Sequence, residues 1–329
     1  MTTPCPPTSK VTLLLPDGTK VGRPSTRALV PQQGLMSRDY DLSWPSNQYE
    51  NALVGSVYHF EWREFEPNRG DYQESIFQGI RDAAADAAAL GKGGGVRLNM
   101  LGGTQSPQWV KDISDPFPYV EAQAGFSYTC PRWWYDTYQQ AWNETFRAIR
   151  AEVGEHIAEV RMSGGGTRYG EPFIRSIWAN QDALRAVGYT YDIDFEALSN
   201  FVTIISCAFP NALMYLSCFP WQSFNSAGNP VASMEATLNA IDAWSIDIVG
   251  SHDLREVPGT DRLNTWQALH DTGLPMYFQT AAPARIGDWT KALDYGIQFN
   301  ARNIELVNAF QDYDYDTLMS YAAIFEAGT

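Results

Sequence analysis

Several common signatures are missing from this sequence, and each absence removes a class of protein. Cysteines are few, four in 329 residues. Cys5, Cys130, Cys207 and Cys218 show no C-x-x-C spacing, which argues against a zinc site or a redox motif. The four histidines, His59, His156, His252 and His270, also lack ligand spacing, so neither a metal nor a cofactor is expected. A G-x-G-x-x-G fingerprint is absent after the first apolar run, which argues against an open sheet that holds a dinucleotide. Basic residues are in the minority, 23 Lys and Arg against 38 Asp and Glu, for a formal net charge of −15. Phosphates would be repelled, so no nucleic-acid partner is expected. No apolar run is long enough to span a bilayer, and no membrane partner is expected. Met1 to Lys10 is rich in Pro and Thr and has no apolar signal core. The reading is a protein of the cytoplasm or one carried by a virus particle. Oligomeric state leaves no mark in the sequence.

What is present is the composition of a globular protein, 44% apolar and 19% charged residues. Residues 1–28 read as a tail and a β-hairpin, Lys10 to Val21, turning at Pro16-Asp17-Gly18. Residues 29–329 read as one domain in which short apolar runs alternate with helices. The predicted strands are Gly34–Ser37, Gly55–Phe60, Val96–Leu101, Ile157–Ser163, Leu213–Cys218, Ile246–Ser251, Met276–Thr280 and Asn303–Val307. Helices are predicted at Ser75–Leu90, Trp133–Val153, Phe195–Phe209, Met234–Trp244, Arg262–Thr272, Trp289–Phe299 and Tyr315–Glu326. Gly102 to Pro131 reads as a long aromatic loop. Eight strands alternating with helices imply an α/β fold, a single closed (β/α)8 barrel.

In such a barrel the reactive groups sit at the C-terminal ends of the strands. The fourth strand ends in Gly164-Gly165-Gly166, followed by Arg168, Tyr169, Gly170, Glu171 and Pro172. The glycines lack the Lys and Ser/Thr of a phosphate cradle, so Glu171 is the notable feature of that loop. The other polar residues at strand ends are Glu61, Arg63, Glu64, Glu66, Arg97, Asn99, Gln105, His252, Asp253, Gln279, Glu305 and Asn308. Indoles accompany them at Trp62, Trp109 and Trp221. Eleven Trp and seventeen Tyr allow some rings to be platforms for pyranose faces. Paired carboxylates beside such platforms suit glycoside hydrolysis, in which one acid protonates the leaving oxygen and another acts as nucleophile or base.

The run Trp62-Arg63-Glu64-Phe65-Glu66-Pro67-Asn68-Arg69-Gly70-Asp71-Tyr72 resembles the W-x-x-x-E-P-x-x-G-x-Y signature after strand two of many clan A glycoside hydrolases. Pro107-Gln108-Trp109 is similar to their P-x-W after strand three. Gly170-Glu171-Pro172 is similar to their Asn-Glu-Pro at strand four. The resemblance spans about residues 55 to 175. It implies an acid/base at Glu171, and a structural role for Glu66 in shaping its loop. It also implies a nucleophilic Glu on strand seven, where this sequence has Gln279, an amide that cannot attack. Gly170 replaces the usual Asn. The second carboxylate is then expected at Glu305, a charge inside an apolar strand that could instead be a buried acid paired to an arginine such as Arg97, with Asp253 and then Glu61 as the next candidates. A wide separation of Glu171 and Glu305 across the barrel would give inversion. Trp62, Trp109 and Trp221 are the candidate sugar platforms. Arg97, Asn99, Tyr169, His252 and Gln279 are the other candidate binding residues. Glu171 is expected to have a raised pKa as proton donor. The alternative is a non-hydrolytic carbohydrate-binding barrel, such as a virus tail component or a decayed enzyme.

Overall fold

The computed structural model describes residues 31–38, 49–122, 125–165, 168–307 and 310–328. The expected hairpin over Lys10–Val21, and Asn308, lie outside them. Eight strands form the barrel: β1 Gly34–Ser37, β2 Leu53–Glu61, β3 Val96–Leu101, β4 Ile157–Arg161, β5 Leu213–Ser217, β6 Ile248–Leu254, β7 Met276–Thr280 and β8 Ala301–Leu306. All neighbours run parallel, and β1 pairs with both β2 and β8, which closes the ring. The predicted strands and helices recur with shifts of a few residues at their ends. Among the described residues no helix is long and apolar enough to cross a membrane.

Period-two alternation explains how each strand serves two surroundings. On β3, Val96, Leu98 and Met100 join the apolar layer under the helices, while Arg97 points into the barrel. On β4, Val160 faces out, and Glu159 and Arg161 on either side of it face in. On β8, Ile304 and Leu306 face out and Glu305 faces in. Helices close the outer layer with one face each. Glu74–Ala89 buries Phe77, Ile80, Ala83 and Ala87, the spacing of a helical stripe.

The lumen is unusually polar for this fold, whose barrels are filled mainly by branched aliphatic side chains. Arg97 bonds Glu159 through Nε at 2.7 Å and Glu305 through Nη1 at 2.8 Å. Arg161 grips both oxygens of Glu305 through Nη2, at 2.8 and 2.9 Å. The Tyr215 hydroxyl donates to Glu305 at 3.1 Å, and the Tyr215 ring lies against both guanidiniums, 4.2 Å from Arg97 and 4.7 Å from Arg161. Two positive and two negative charges therefore balance inside the barrel. Burial alone would raise the Glu305 pKa, but Arg161 and Arg97 hold it at about 2.

The stretch from Gly102 to Pro131 is not a plain loop. It contains a helix at Gln108–Ile113 and a β-hairpin, Phe117–Glu121 against Phe126–Cys130. Phe117, Tyr119 and Glu121 are buried while Pro118 and Val120 are exposed, an alternation masked by the local density of Pro and aromatic residues. A second hairpin, Trp221–Phe224 with Pro230–Ser233, follows β5. Both were missed because two short strands each bury too little to leave a strong pattern.

Replacing Glu305 by Gln removes the charge that two buried arginines share. Equilibrium urea unfolding should show a loss of about 3–5 kcal/mol. A change within about half a kcal/mol would contradict this role.

Candidate active site

The loop after β4 is folded by close backbone contacts. A Cβ on Gly165 would lie 1.9 Å from the Pro172 carbonyl oxygen, so only glycine lets the chain return on itself here. Ser163 Oγ anchors the turn on the Met100 carbonyl at 2.6 Å. The two hairpins brace the far end of the loop. Tyr119 donates its hydroxyl to the Arg175 carbonyl at 2.5 Å, and Asn180 exchanges two hydrogen bonds with Val120. Ile177 N–H donates to Gln222 Oε1 of the second hairpin at 3.0 Å. Glu171 is thereby turned inward, with 3% of its surface exposed.

Two partners meet Glu171. Arg175, one helical turn onward in sequence, donates from Nη2 to Oε1, and His252 Nδ1 lies 2.9 Å from the same oxygen. Burial pushes the carboxyl pKa up, but Arg175 and then His252 outweigh it and hold the group far below the usual carboxylate range. This corrects the expectation of a raised pKa, which counted the apolar surroundings and omitted the guanidinium. His252 itself is shifted down, first by burial, with Glu171 opposing only in part. A neutral imidazole donating from Nδ1 to an ionised carboxylate follows.

Glu171 lines a cavity of about 690 Å³ at the C-terminal mouth of the barrel. Of the candidate residues, Asp253, Tyr169, His252 and Gln279 line it as well. The others do not. Glu305 is wholly buried and committed to Arg97 and Arg161, so it presents no second carboxylate opposite Glu171, and the inversion argument built on that pair lapses. Arg97 is equally buried beneath it. Asn99 is buried and holds the cavity residue His59, Nδ2 to Nδ1 at 2.6 Å. Trp62 is fully buried between Trp109, Tyr138 and Trp142, and its indole donates to Glu66 at 2.9 Å. Trp109 packs on that same loop, donating to the Glu66 carbonyl at 3.1 Å. Trp221 is fully buried against Phe173, with its N–H on Asp194 at 3.0 Å. None of these three indoles has a face in the cavity. Glu66, buried, also accepts from Thr145 Oγ1 and Gly70 N–H, at 2.6 and 2.8 Å, and so organises the loop after β2.

Both departures from the glycosidase motif now have a setting. A Cβ at Gly170 would stand 2.3 Å from Arg161 Nη1. The guanidinium fills the place an Asn side chain would need. Gln279 lies at the end of β7, beside Glu305 in register, and offers an amide to the cavity.

Asp253 is held differently from Glu171. Its backbone has φ +74°, a conformation costing a non-glycine residue about 1–3 kcal/mol. Arg255 and Arg262 contact its Oδ2, the latter at 3.0 Å, and Arg285 lies 3.6 Å from Oδ1. His59, Arg161, Arg175, Phe219, Arg262 and Arg285 line the cavity and were not foreseen. For two of them a signal existed. His59 and Arg161 interrupt apolar strand runs, the same clue that singled out Glu305. Arg262 and Arg285 lie in segments with no such contrast.

No family model matches the sequence, and no curated protein matches it. Solved structures do. The catalytic domain of a β-amylase from Paenibacillus polymyxa superposes with a TM-score of 0.61 at 10% identity, covering 90% of this chain and 100% of that one. What the two share is the (β/α)8 barrel. An exo-β-1,4-mannosidase from Opitutaceae bacterium strain TAV5 gives a TM-score of 0.52 at 13% identity, over 88% of this chain and 59% of that one. At such identities the likeness is one of fold.

His59 is held neutral in the folded protein, its pKa lowered to about 3 by burial and then by Arg38 and Arg161. The unfolded chain takes up this proton near pH 6.5. Stability should therefore fall as pH drops below about 6.5, before most carboxylates titrate. Melting temperatures of wild type and His59→Asn between about pH 7 and 5 check this, and the variant should lose part of the slope. Gly170→Asn should cost about 1–3 kcal/mol by thermal or urea unfolding, because Arg161 cannot yield without leaving Glu305.

Proposed function

We propose that this chain is a glycoside hydrolase acting on an oligo- or polysaccharide in the cavity at the barrel mouth, with Glu171 as its general acid/base. The observation that carries the reading is the setting of Glu171. It is a nearly buried, ionised carboxylate at the end of β4, fixed by Arg175 and His252, in a barrel whose solved look-alikes include a β-amylase and a mannosidase. In the resting state it is ionised, and to take a proton from an attacking water or to give one to a leaving oxygen it needs a bound substrate to loosen its pairing with Arg175. His252 is a positioning residue, holding the carboxylate from one side while Arg175 holds it from the other. Asp253 and Glu61 are the other carboxylates of the cavity considered for the second role. Gln279 supplies no nucleophilic oxygen anion, so a covalent route through β7 is not part of the proposal.

Gln279 favours one second reading, a barrel that binds glycans without cleaving them. Hydrolysis of a glycan panel by wild type and Glu171→Gln separates the two. The hydrolase reading expects turnover by wild type and a loss of about 10²–10⁴-fold in the variant. Binding without turnover, unchanged by the substitution, would replace it with the second reading.

A further inference from the structure

The chain carries a net charge of −15, yet its cavity gathers cations. Among the described residues Arg38, Arg161, Arg168, Arg175, Arg262 and Arg285 line it, and no lysine does. Against these six stand four carboxylates, Glu61, Glu171, Asp253 and Asp261. The excess is concentrated around Asp253. Its single negative charge faces Arg255, Arg262 and Arg285 together. The arginines repel one another: the Arg262 pKa is lowered by burial and then by Arg285 and Arg175, and that of Arg255 by burial and then by Arg262 and Arg285. Arg175 lies between the rings of Tyr169 and Phe219, at 4.5 and 5.1 Å. It bonds Glu171 through Nη2 and leaves its buried Nε without a partner. Such an arrangement is costly until an anion enters.

Resting on the reading of the cavity as a glycan site, we propose that it takes an acidic sugar, a residue bearing a carboxylate, received by Arg175, Arg262 and Arg285. A guanidinium fork matches a planar carboxylate, and an all-arginine lining is the choice for such recognition. Arg161 is already balanced by Glu305 in the lumen, which leaves five arginines against four carboxylates among the described residues of the lining, an excess that fits a singly charged group. Neutral sugars would leave the repulsion among the arginines unrelieved.

The test is equilibrium binding to the full chain, with product formation followed in the same samples. The probes are short oligomers of α-1,4-galacturonate and β-1,4-glucuronate, their methyl esters, and a sulfated galactan oligomer. At least one acid should bind tenfold or more tighter than its ester, and the gap should narrow as salt is raised. Arg262→Gln and Arg285→Gln, the latter at a side chain 60% exposed, should each close most of that gap between acid and ester. Esters binding as tightly as acids, no binding of any acid, or variants that keep the full gap would overturn the inference. Preference for the sulfated oligomer over both acids would overturn the carboxylate assignment. Cleavage of neutral glycans with no preference for acids would sink this inference and leave the hydrolase reading standing. Tight acid binding without any cleavage would do the reverse.

Discussion

The buried exchange of charge among Arg97, Arg161, Glu159 and Glu305 is the constraint on which the rest of the molecule depends. It joins β3, β4 and β8 through the lumen, with Tyr215 of β5 as a further donor. Ions so placed have lost their hydration, and their partners offset that only when every charge is met. The network balances two against two. It therefore cannot release Glu305 for chemistry, although a glutamate in a barrel strand is otherwise a natural candidate. It also sets the shape above it. Arg161 is shared between network and cavity, and its guanidinium occupies the volume beside Gly170. The glycine in Gly170-Glu171-Pro172 is thus a consequence of what lies beneath the loop.

Above the network, precision is supplied by parts outside the barrel. Glu171 belongs to a loop rather than to a strand, and loops need bracing to hold a reactive group. The two hairpins provide it, through Tyr119 and Val120 of the first and Gln222 of the second. The carboxylate they fix is then tuned by side chains from two places, Arg175 of its own loop and His252 of β6. Charge is distributed unevenly over the whole: the acidic residues dominate the chain, while the cavity collects arginines.

Much of this was legible in order along the chain. The strand runs are short, apolar and separated by amphipathic helices, and local pattern is enough to read them. Glu66 could be assigned to loop structure from the motif it resembles, and Trp62 four residues before it and Gly70 four after are two of its partners. Glu171 was visible as one acid behind a glycine run. Trp221 and Trp62 show the limit. An indole at a strand end is equally good as a sugar platform or as a core ring, and only the neighbours, Asp194 and Phe173 or Tyr138 and Trp142, decide. Arg175 was four residues from Glu171 and still unread, since spacing does not say whether two side chains meet outside a regular helix.

By itself the sequence determined the alternation of elements, hence the barrel, because hydrophobic period and element length are local properties that burial enforces residue by residue. It also placed Glu171 at the mouth, since strand ends follow from strand limits. Only the tertiary structure decided which charges are spent inside the lumen and which remain for a ligand. In one dimension Glu305 reads equally as an active group or as a buried acid paired to an arginine such as Arg97, and in three the two are counter-ions. Charge pairing acts through space across the ring, between residues as far apart as 97 and 305, and no local pattern records it.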